Sequence, residues 1–414
     1  MDLNKLLKAL GPGILFASTC IGVSHLVQST RAGADYGFSL LLAVVVANVL
    51  KYPFFQFASR YTGATGKSII DGYEKLGRWT LYLYFIISIP SMLIVTSAVT
   101  FVTAGMLGNL FQFEMGTPQW SIIVLIICTS IILVGQYKLL DNLLKAVGIV
   151  LVLSVVIAFI SALIHGPVQK IDGFVPKEVF EREGIIFLIA LMGWMPTAVD
   201  ISTWPSLWAE EKMRVSGHRP GMKEVIADFN IGYWITAFLA ICFLTLGALI
   251  IYGTGTELSN SSTVFADQVI SMFTVAIGDW SYFVIAIAAF STMFSTTVTV
   301  IDGYGRAITR STKLILKKTD ADSRKAYLVW VLITVVGAWL VISQFSNKLK
   351  ALVDLATIFS FVLAPVIAII NYKVINHKHL DAKHHPKKPL NILAIAGIIY
   401  LSVFTVIYII VYFF

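Results

Sequence analysis

Ala17-Ser18-Thr19-Cys20-Ile21-Gly22-Val23-Ser24-His25 lies at the centre of the first long apolar stretch of this chain, and Leu191-Met192-Gly193-Trp194-Met195-Pro196-Thr197-Ala198-Val199-Asp200 at the centre of the sixth. Both carry glycine, proline, hydroxyl or ionisable residues where a continuous apolar helix would have none. Unpaired backbone groups are costly in lipid, so an unwound segment within a span survives only where protein buries it or where it lines a cavity. Interrupted spans at matching places in two halves of a chain mark a transporter's substrate site. The two segments predict an all-α integral membrane protein with a binding site between broken helices 1 and 6.

Composition agrees. The 414 residues are 57% hydrophobic and 13% charged, with a mean hydropathy of +0.82, outside the range of soluble domains. Runs long enough to cross a bilayer fall at 11–34, 38–60, 79–106, 119–136, 143–165, 184–208, 228–252, 280–305, 326–344, 350–372 and 391–413, which makes eleven spans. A short amphipathic surface helix is expected over 264–275. Cys20, Cys128 and Cys242 all fall in apolar runs, so neither a disulfide nor a thiolate metal cluster is expected. Lys5 and Lys8 precede the first run without a small-residue cleavage site, so that run reads as a first span and not as a removed signal.

Lysine and arginine set the orientation. They collect after span 2 (Arg60, Lys67, Lys75, Arg78), after span 6 (Lys212, Arg214, Arg219, Lys223), after span 8 (Arg306, Arg310, Lys313, Lys317, Lys318, Arg324, Lys325) and after span 10 (Lys373, Lys378, Lys383, Lys387, Lys388). Segments 107–118 and 253–279 have none. The N-terminus is therefore expected in the cytoplasm and the C-terminus outside, as a multi-pass protein of the inner (cell) membrane. The net charge of +8 is a topology signal and not a nucleic-acid footprint. Breaks in spans 1 and 6, five apart, divide the chain into a first repeat at 1–165 (spans 1–5) and an inverted second repeat at 166–373 (spans 6–10). The region 374–414 adds a basic loop and span 11.

Three stretches resemble the start of the Nramp divalent-metal transporters: Gly11-Pro12-Gly13, then Arg31-Ala32-Gly33-Ala34-Asp35-Tyr36-Gly37-Phe38, then Ala58-Ser59-Arg60-Tyr61-Thr62-Gly63-Ala64-Thr65-Gly66. Met195-Pro196 matches the first two residues of that family's Met-Pro-His motif. The resemblance implies the LeuT-type 5+5 inverted repeat, alternating access and a substrate site at mid-membrane. It also shows departures. The family's Asp-Pro-Gly-Asn falls on Gly22, Val23, Ser24 and His25, so the metal-binding Asp is Gly22 and the Asn ligand is His25. The motif histidine is Thr197, Met195 is retained, and the nearby carbonyl ligand maps to Met192. Span 3, acidic in the family, has no Asp or Glu between Trp79 and Gly108. A divalent cation needs anionic or strongly donating ligands to replace its water, and the one carboxylate has gone.

Ionisable groups inside spans cost roughly 2.5–3.5 kcal/mol on insertion scales and usually have a partner or a task. Lys51, deep in span 2, is read either as a fixed positive charge for an anionic substrate or in place of a coupling cation, or as a snorkelling residue or partner of Asp200. Asp200 opens the second half of span 6 and is either a helix cap or ion-pair partner, or a proton or substrate group. His25 is a substrate or proton contact, or a polar plug. Ser24, Trp194, Met195 and Thr197 either line the pocket or satisfy and pack the break. Asp302 and Arg306 are spaced for an intrahelical pair. His377, His379, His384 and His385 read as part of a solvated basic loop.

The resulting expectation is a secondary transporter for a small organic anion or zwitterion, with substrate contacts from Gly22, Ser24, His25, Met192, Trp194, Met195 and Thr197. Lys51, Asp200 and His25 would carry charge or proton coupling. A bacterial branch similar to this sequence is associated with 5-oxoproline metabolism, so the resemblance makes that carboxylate a candidate. The alternatives are a divalent-metal transporter using His25 and Met195, and a transport-inactive sensor or scaffold. No zinc-protease, nucleophile-elbow or phosphate-loop motif is present, and no enzyme is expected. The partners expected are a small-molecule substrate and the lipid bilayer, with no nucleic acid and no signal for an oligomer. No cofactor is expected, and the coupling ion is H+ or Na+.

Overall fold

The computed structural model describes residues 11–134, 137–317 and 323–414, with side chains for all of these except 137–147 and 323. Lys5, Lys8 and Lys318, used above for topology, lie outside the described residues. Among those described, every regular element is helical. Among the described residues nine helices are long and apolar enough to cross a membrane: Leu41–Thr65, Arg78–Phe111, Thr117–Val134, Gly148–His165, Met222–Ile251, Asp279–Leu316, Arg324–Gln344, Leu349–Ile375 and Lys388–Phe413. These correspond to spans 2–5 and 7–11. The stretches expected as spans 1 and 6 are built from shorter helical pieces.

Span 1 is a helix over Pro12–Cys20, a break at Ile21 and Gly22, a π-helical turn over Ser24–Ser29 and a helix over Thr30–Tyr36. Span 6 is a helix over Arg182–Gly193, an irregular stretch from Trp194 to Val199, a 3-10 turn over Asp200–Thr203 and a helix over Trp204–Ser216. Local chemistry explains the second break. Pro196 has no amide to donate and restricts the residue before it. Pro205 then sits in the first turn of the following helix, where its missing N–H costs nothing.

The opening Gly11-Pro12-Gly13 has a packing reason. The Asp228 carboxylate accepts hydrogen bonds from the amides of Gly11 (3.0 Å) and Gly13 (2.7 Å), capping the helix with negative charge at its positive end. A Cβ on Gly13 would lie 2.0 Å from the Asp228 carbonyl oxygen, and one on Gly232 would lie 2.1 Å from the Gly13 oxygen. Spans 1 and 7 thus meet backbone to backbone. The short helix expected over 264–275 runs from Ser262 to Ile277. It is amphipathic in the expected sense, with Val264 and Val275 exposed and Phe265, Val269, Ile270 and Phe273 buried.

Candidate functional site

The two breaks face one small cavity lined by buried residues. Span 1 contributes Thr19, Cys20, Val23 and Ser24, and span 6 contributes Trp194, Thr197, Ala198 and Ile201. Val95 and Val99 come from span 3, and Thr296 and Val300 from span 8. None of these residues is more than 8% exposed. The polar wall therefore consists of four hydroxyls, one thiol and one indole.

Of the residues singled out from sequence, the structure brings Ser24, Trp194 and Thr197 to this wall. Gly22 lies beside it, where a Cβ would stand 3.0 Å from Thr296 Cγ2. His25 turns away toward span 7. Its Nε2 lies 2.8 Å from the Thr236 carbonyl, which can only accept, so Nε2 carries a hydrogen. Its Nδ1 is 2.8 Å from Ser24 Oγ, which also donates at 2.7 Å to the Cys20 carbonyl, an acceptor for the Gly22 amide as well. The Met195 sulfur is 3.7 Å from the Ser29 hydroxyl, and the Met192 sulfur accepts from Tyr400 of span 11 at 2.7 Å.

Lys51 is fully buried and donates to three backbone carbonyls of the span 6 break: Met192 (3.1 Å), Gly193 (2.9 Å) and Thr197 (2.8 Å). It neither snorkels to the surface nor forms an ion pair with Asp200. Asp200 lies below the cavity, where Oδ2 accepts from Tyr304 at 2.9 Å and Oδ1 has no hydrogen-bond partner. Asp302 and Arg306 form the expected pair at 2.7 Å. The loop histidines are partly buried and not fully solvated. His379 packs against Tyr61, because the loop folds back on the end of span 2.

Several wall residues carried no sequence signal of their own. Cys20 and Val23 belong to the quoted break, but their residue types do not mark them as lining a cavity, and Val95 and Val99 are indistinguishable from other aliphatic residues of span 3. Thr296 had a usable signal in the run Thr292, Ser295, Thr296, Thr297 and Thr299 in mid-span. Most of those hydroxyls bond to the carbonyl four residues back, the usual fate of threonine in apolar helices. Thr296 also reaches the Ser18 carbonyl at 3.0 Å, across the first break.

Hydrogen bonds tie the spans together on either side of the cavity. Toward one end, span 10 presents Ser360, Thr357 and Asp354 at three-residue intervals along one face. They receive hydrogen bonds from Trp194 (3.0 Å), Gln28 (3.2 Å) and Arg31 (2.6 Å) respectively. Toward the other end, Tyr304 binds Asp200, Tyr84 binds Thr203 (2.8 Å), and Asn371 binds Ser202 (2.8 Å). Below them Arg310 pairs with Asp71 (2.5 Å) and Glu210 (3.5 Å). Burial raises the Glu210 pKa, and the Arg310 guanidinium opposes that rise.

The family model for natural resistance-associated macrophage protein-like (Nramp) proteins matches residues 13–411. The chain is 37% identical over 404 residues to the uncharacterized protein PM0681 of Pasteurella multocida, covering 97% of this chain and 92% of that one. It is 22% identical over 264 residues to the divalent metal cation transporter MntH of Listeria welshimeri, covering 61% of this chain and 57% of that one. A mutant of the manganese transporter of Eremococcus coleocola has the same fold, with a TM-score of 0.74 at 12% identity over 97% of this chain and 86% of that one. The LeuT-type fold that the family resemblance implied is thus the observed fold, and the chain belongs to the Nramp family of membrane transporters.

Proposed function

We propose that this Nramp-family transporter carries a small organic zwitterion or anion by alternating access, and not a divalent metal. The observation that carries the reading is the composition of the cavity wall. Hydroxyls, a thiol, an indole and aliphatic groups make a poor substitute for the water shell of a hard divalent ion, which takes carboxylates and carbonyls. The same wall suits a small organic molecule with a few hydrogen-bonding groups. A substrate carboxylate would be received by the start of the second piece of span 1, where the amides of Val23 and Ser24 precede the hydrogen-bonded turns that begin with His25 and Leu26. Lys51 does not have that role, since its three donors are already used. Thr197 and Trp194 would shape the opposite side.

In this reading the halves 1–165 and 166–373 rock about the site, and 374–414 is appended. The protein sits in the inner membrane with its N-terminus in the cytoplasm and its C-terminus outside. The coupling ion is H+ or Na+, and Asp200, with its unpaired Oδ1, is the group we assign to carry a proton. Asp200→Asn should then abolish pH-driven accumulation in proteoliposomes while leaving counterflow exchange of the same substrate intact. Loss of both activities would remove Asp200 from coupling.

A second reading keeps a divalent metal ion such as Mn2+. It is favoured by the similarity to the Listeria protein and by the Cys20 thiol on the wall. Calorimetry of the purified protein against Mn2+, and against a panel of small carboxylates including 5-oxoproline, separates the two. Heat with a carboxylate and none with Mn2+ is the expected result, and saturable Mn2+ binding would establish the second reading. Gly22→Asp is not expected to create Mn2+ binding. A Cβ there would stand 3.0 Å from Thr296 Cγ2, so the new carboxylate meets a packed wall and costs about 1–3 kcal/mol. Mn2+ heat from that variant would show that the missing carboxylate alone separates this chain from metal transport.

A further inference from the structure

The ammonium of Lys51 is held as a bound cation is held. Met192, Gly193 and Thr197 turn three carbonyl oxygens toward a single point, at 3.1, 2.9 and 2.8 Å from Nζ. The first two belong to the C-terminal end of the helix Arg182–Gly193, where carbonyls lose their intrahelical partners and the helix dipole is negative. The third comes from the far side of the break. Three dipoles of one sign converging on a fully buried point form a cation site. Among the described residues no carboxylate forms an ion pair with Lys51; the three carbonyls are its direct partners, and Asp200 acts on it at longer range. The distances are those of ammonium hydrogen bonds, and well beyond the roughly 2.0–2.6 Å of Mg2+ or Ca2+ to oxygen.

We infer that the Lys51 ammonium is a built-in monovalent cation seated in a carbonyl site of span 6, and that the site accepts a free monovalent cation once the lysine is removed. The lysine is a positioning residue. By tying Gly193 to Thr197 across the break it holds the Trp194 and Thr197 side chains on the cavity wall, with no dissociable ion needed at that place. This inference is independent of which substrate the cavity takes.

The test uses the full chain purified in detergent and its thermal unfolding in choline, sodium, potassium and methylammonium chlorides. Wild-type unfolding is expected to be the same in all four, because the site is filled. Lys51→Ala is expected to melt lower in choline and to recover progressively as methylammonium or a small monovalent cation is titrated in. Lys51→Met, which fills the space without a charge, should melt lower and show no recovery. A sodium- or potassium-specific shift in the wild type would overturn the inference. So would cation-insensitive melting of Lys51→Ala, recovery of Lys51→Met by the same salts, or failure to obtain Lys51→Ala in any salt while Lys51→Met is obtained. Recovery of folded Lys51→Ala only from methylammonium-containing buffer would support it.

Discussion

Gly13→Val is expected to cost the protein its fold. The nearest atom to the new side chain is the main-chain oxygen of Asp228, 2.0 Å from the ideal Cβ position, with the Asp228 carbonyl carbon at 2.5 Å. Backbone atoms cannot rotate aside as a flexible side chain would, so the two helices must separate. Separation also pulls the Gly11 and Gly13 amides from the Asp228 carboxylate, leaving that buried acid without the two donors that compensate it for lost hydration. Overpacking alone costs about 1–3 kcal/mol, and each stranded buried polar group about 1–3 kcal/mol more. The sum, on the order of 4–6 kcal/mol, belongs to the rare severe class and is comparable to the whole stability of many domains. Fluorescence-detected size exclusion after heating provides the check, with Gly148→Ala as its counterpart. Nothing lies within 4 Å of a Cβ at Gly148, so that change should be neutral or stabilise the helix by about 0.5–1 kcal/mol. A monodisperse, wild-type-like Gly13→Val protein would mean that spans 1 and 7 do not meet this way.

The architecture was readable because it rests on signals the bilayer enforces. Span lengths, basic loops and the two breaks all follow from the cost of exposing backbone or charge to lipid, and that cost is written in residue types. The candidate site was less readable, for reasons visible at particular residues. His25 stands in the break, but the π-helical turn over Ser24–Ser29 adds a residue to the local turn and so rotates side chains by about 100° relative to an α-helix. A gapless placement on a family motif cannot register that rotation, and the imidazole ends against span 7. Lys51 was recognisable as buried and in need of a partner. Its partners are main-chain carbonyls, which every residue has and no sequence pattern marks. Thr296 reaches the wall where its hydroxyl donates to the Ser18 carbonyl across the first break, beside Cys20, whose carbonyl accepts from the Gly22 amide and the Ser24 hydroxyl. That arrangement depends on how spans 1 and 8 dock, which is set by long-range packing.

Asp354→Asn is expected to open the cavity at the end where spans 1 and 10 meet, the outer end in the proposed orientation. Arg31 makes a two-pronged contact there, Nη1 to Oδ1 at 2.6 Å and Nη2 to Oδ2 at 3.1 Å. Its guanidinium side chain is only 7% exposed, whereas that of Asp354 is 28% exposed. The asymmetry decides the direction. Removing the carboxylate charge leaves a buried cation with amide and aromatic neighbours only, Gln28 at 2.9 Å and the Phe187 ring at 4.8 Å, and hydration would then be its best remaining stabilisation. Breaking a fully buried pair costs about 3–5 kcal/mol; a partly solvated carboxylate argues for about half of that. At 1.4 kcal/mol per factor of ten, the population open at this end should rise about ten- to a hundredfold. Cys20 reports it directly, since it lies on the cavity wall, is buried, and has a free thiol. A membrane-impermeant methanethiosulfonate added outside right-side-out vesicles should modify Cys20 faster by that factor in Asp354→Asn than in the wild type. A Cys20→Ser control corrects for Cys128 and Cys242. The opposite closure is deeper, running from Tyr304 and Asp200 through Thr203 and Ser202 to Arg310 and Asp71, so reagent confined to that side should show no gain. Equal labelling of wild type and variant from outside would show that the Ser360, Thr357 and Asp354 row of span 10 does not close the cavity. Faster labelling from the opposite side alone would reverse the orientation proposed for the chain.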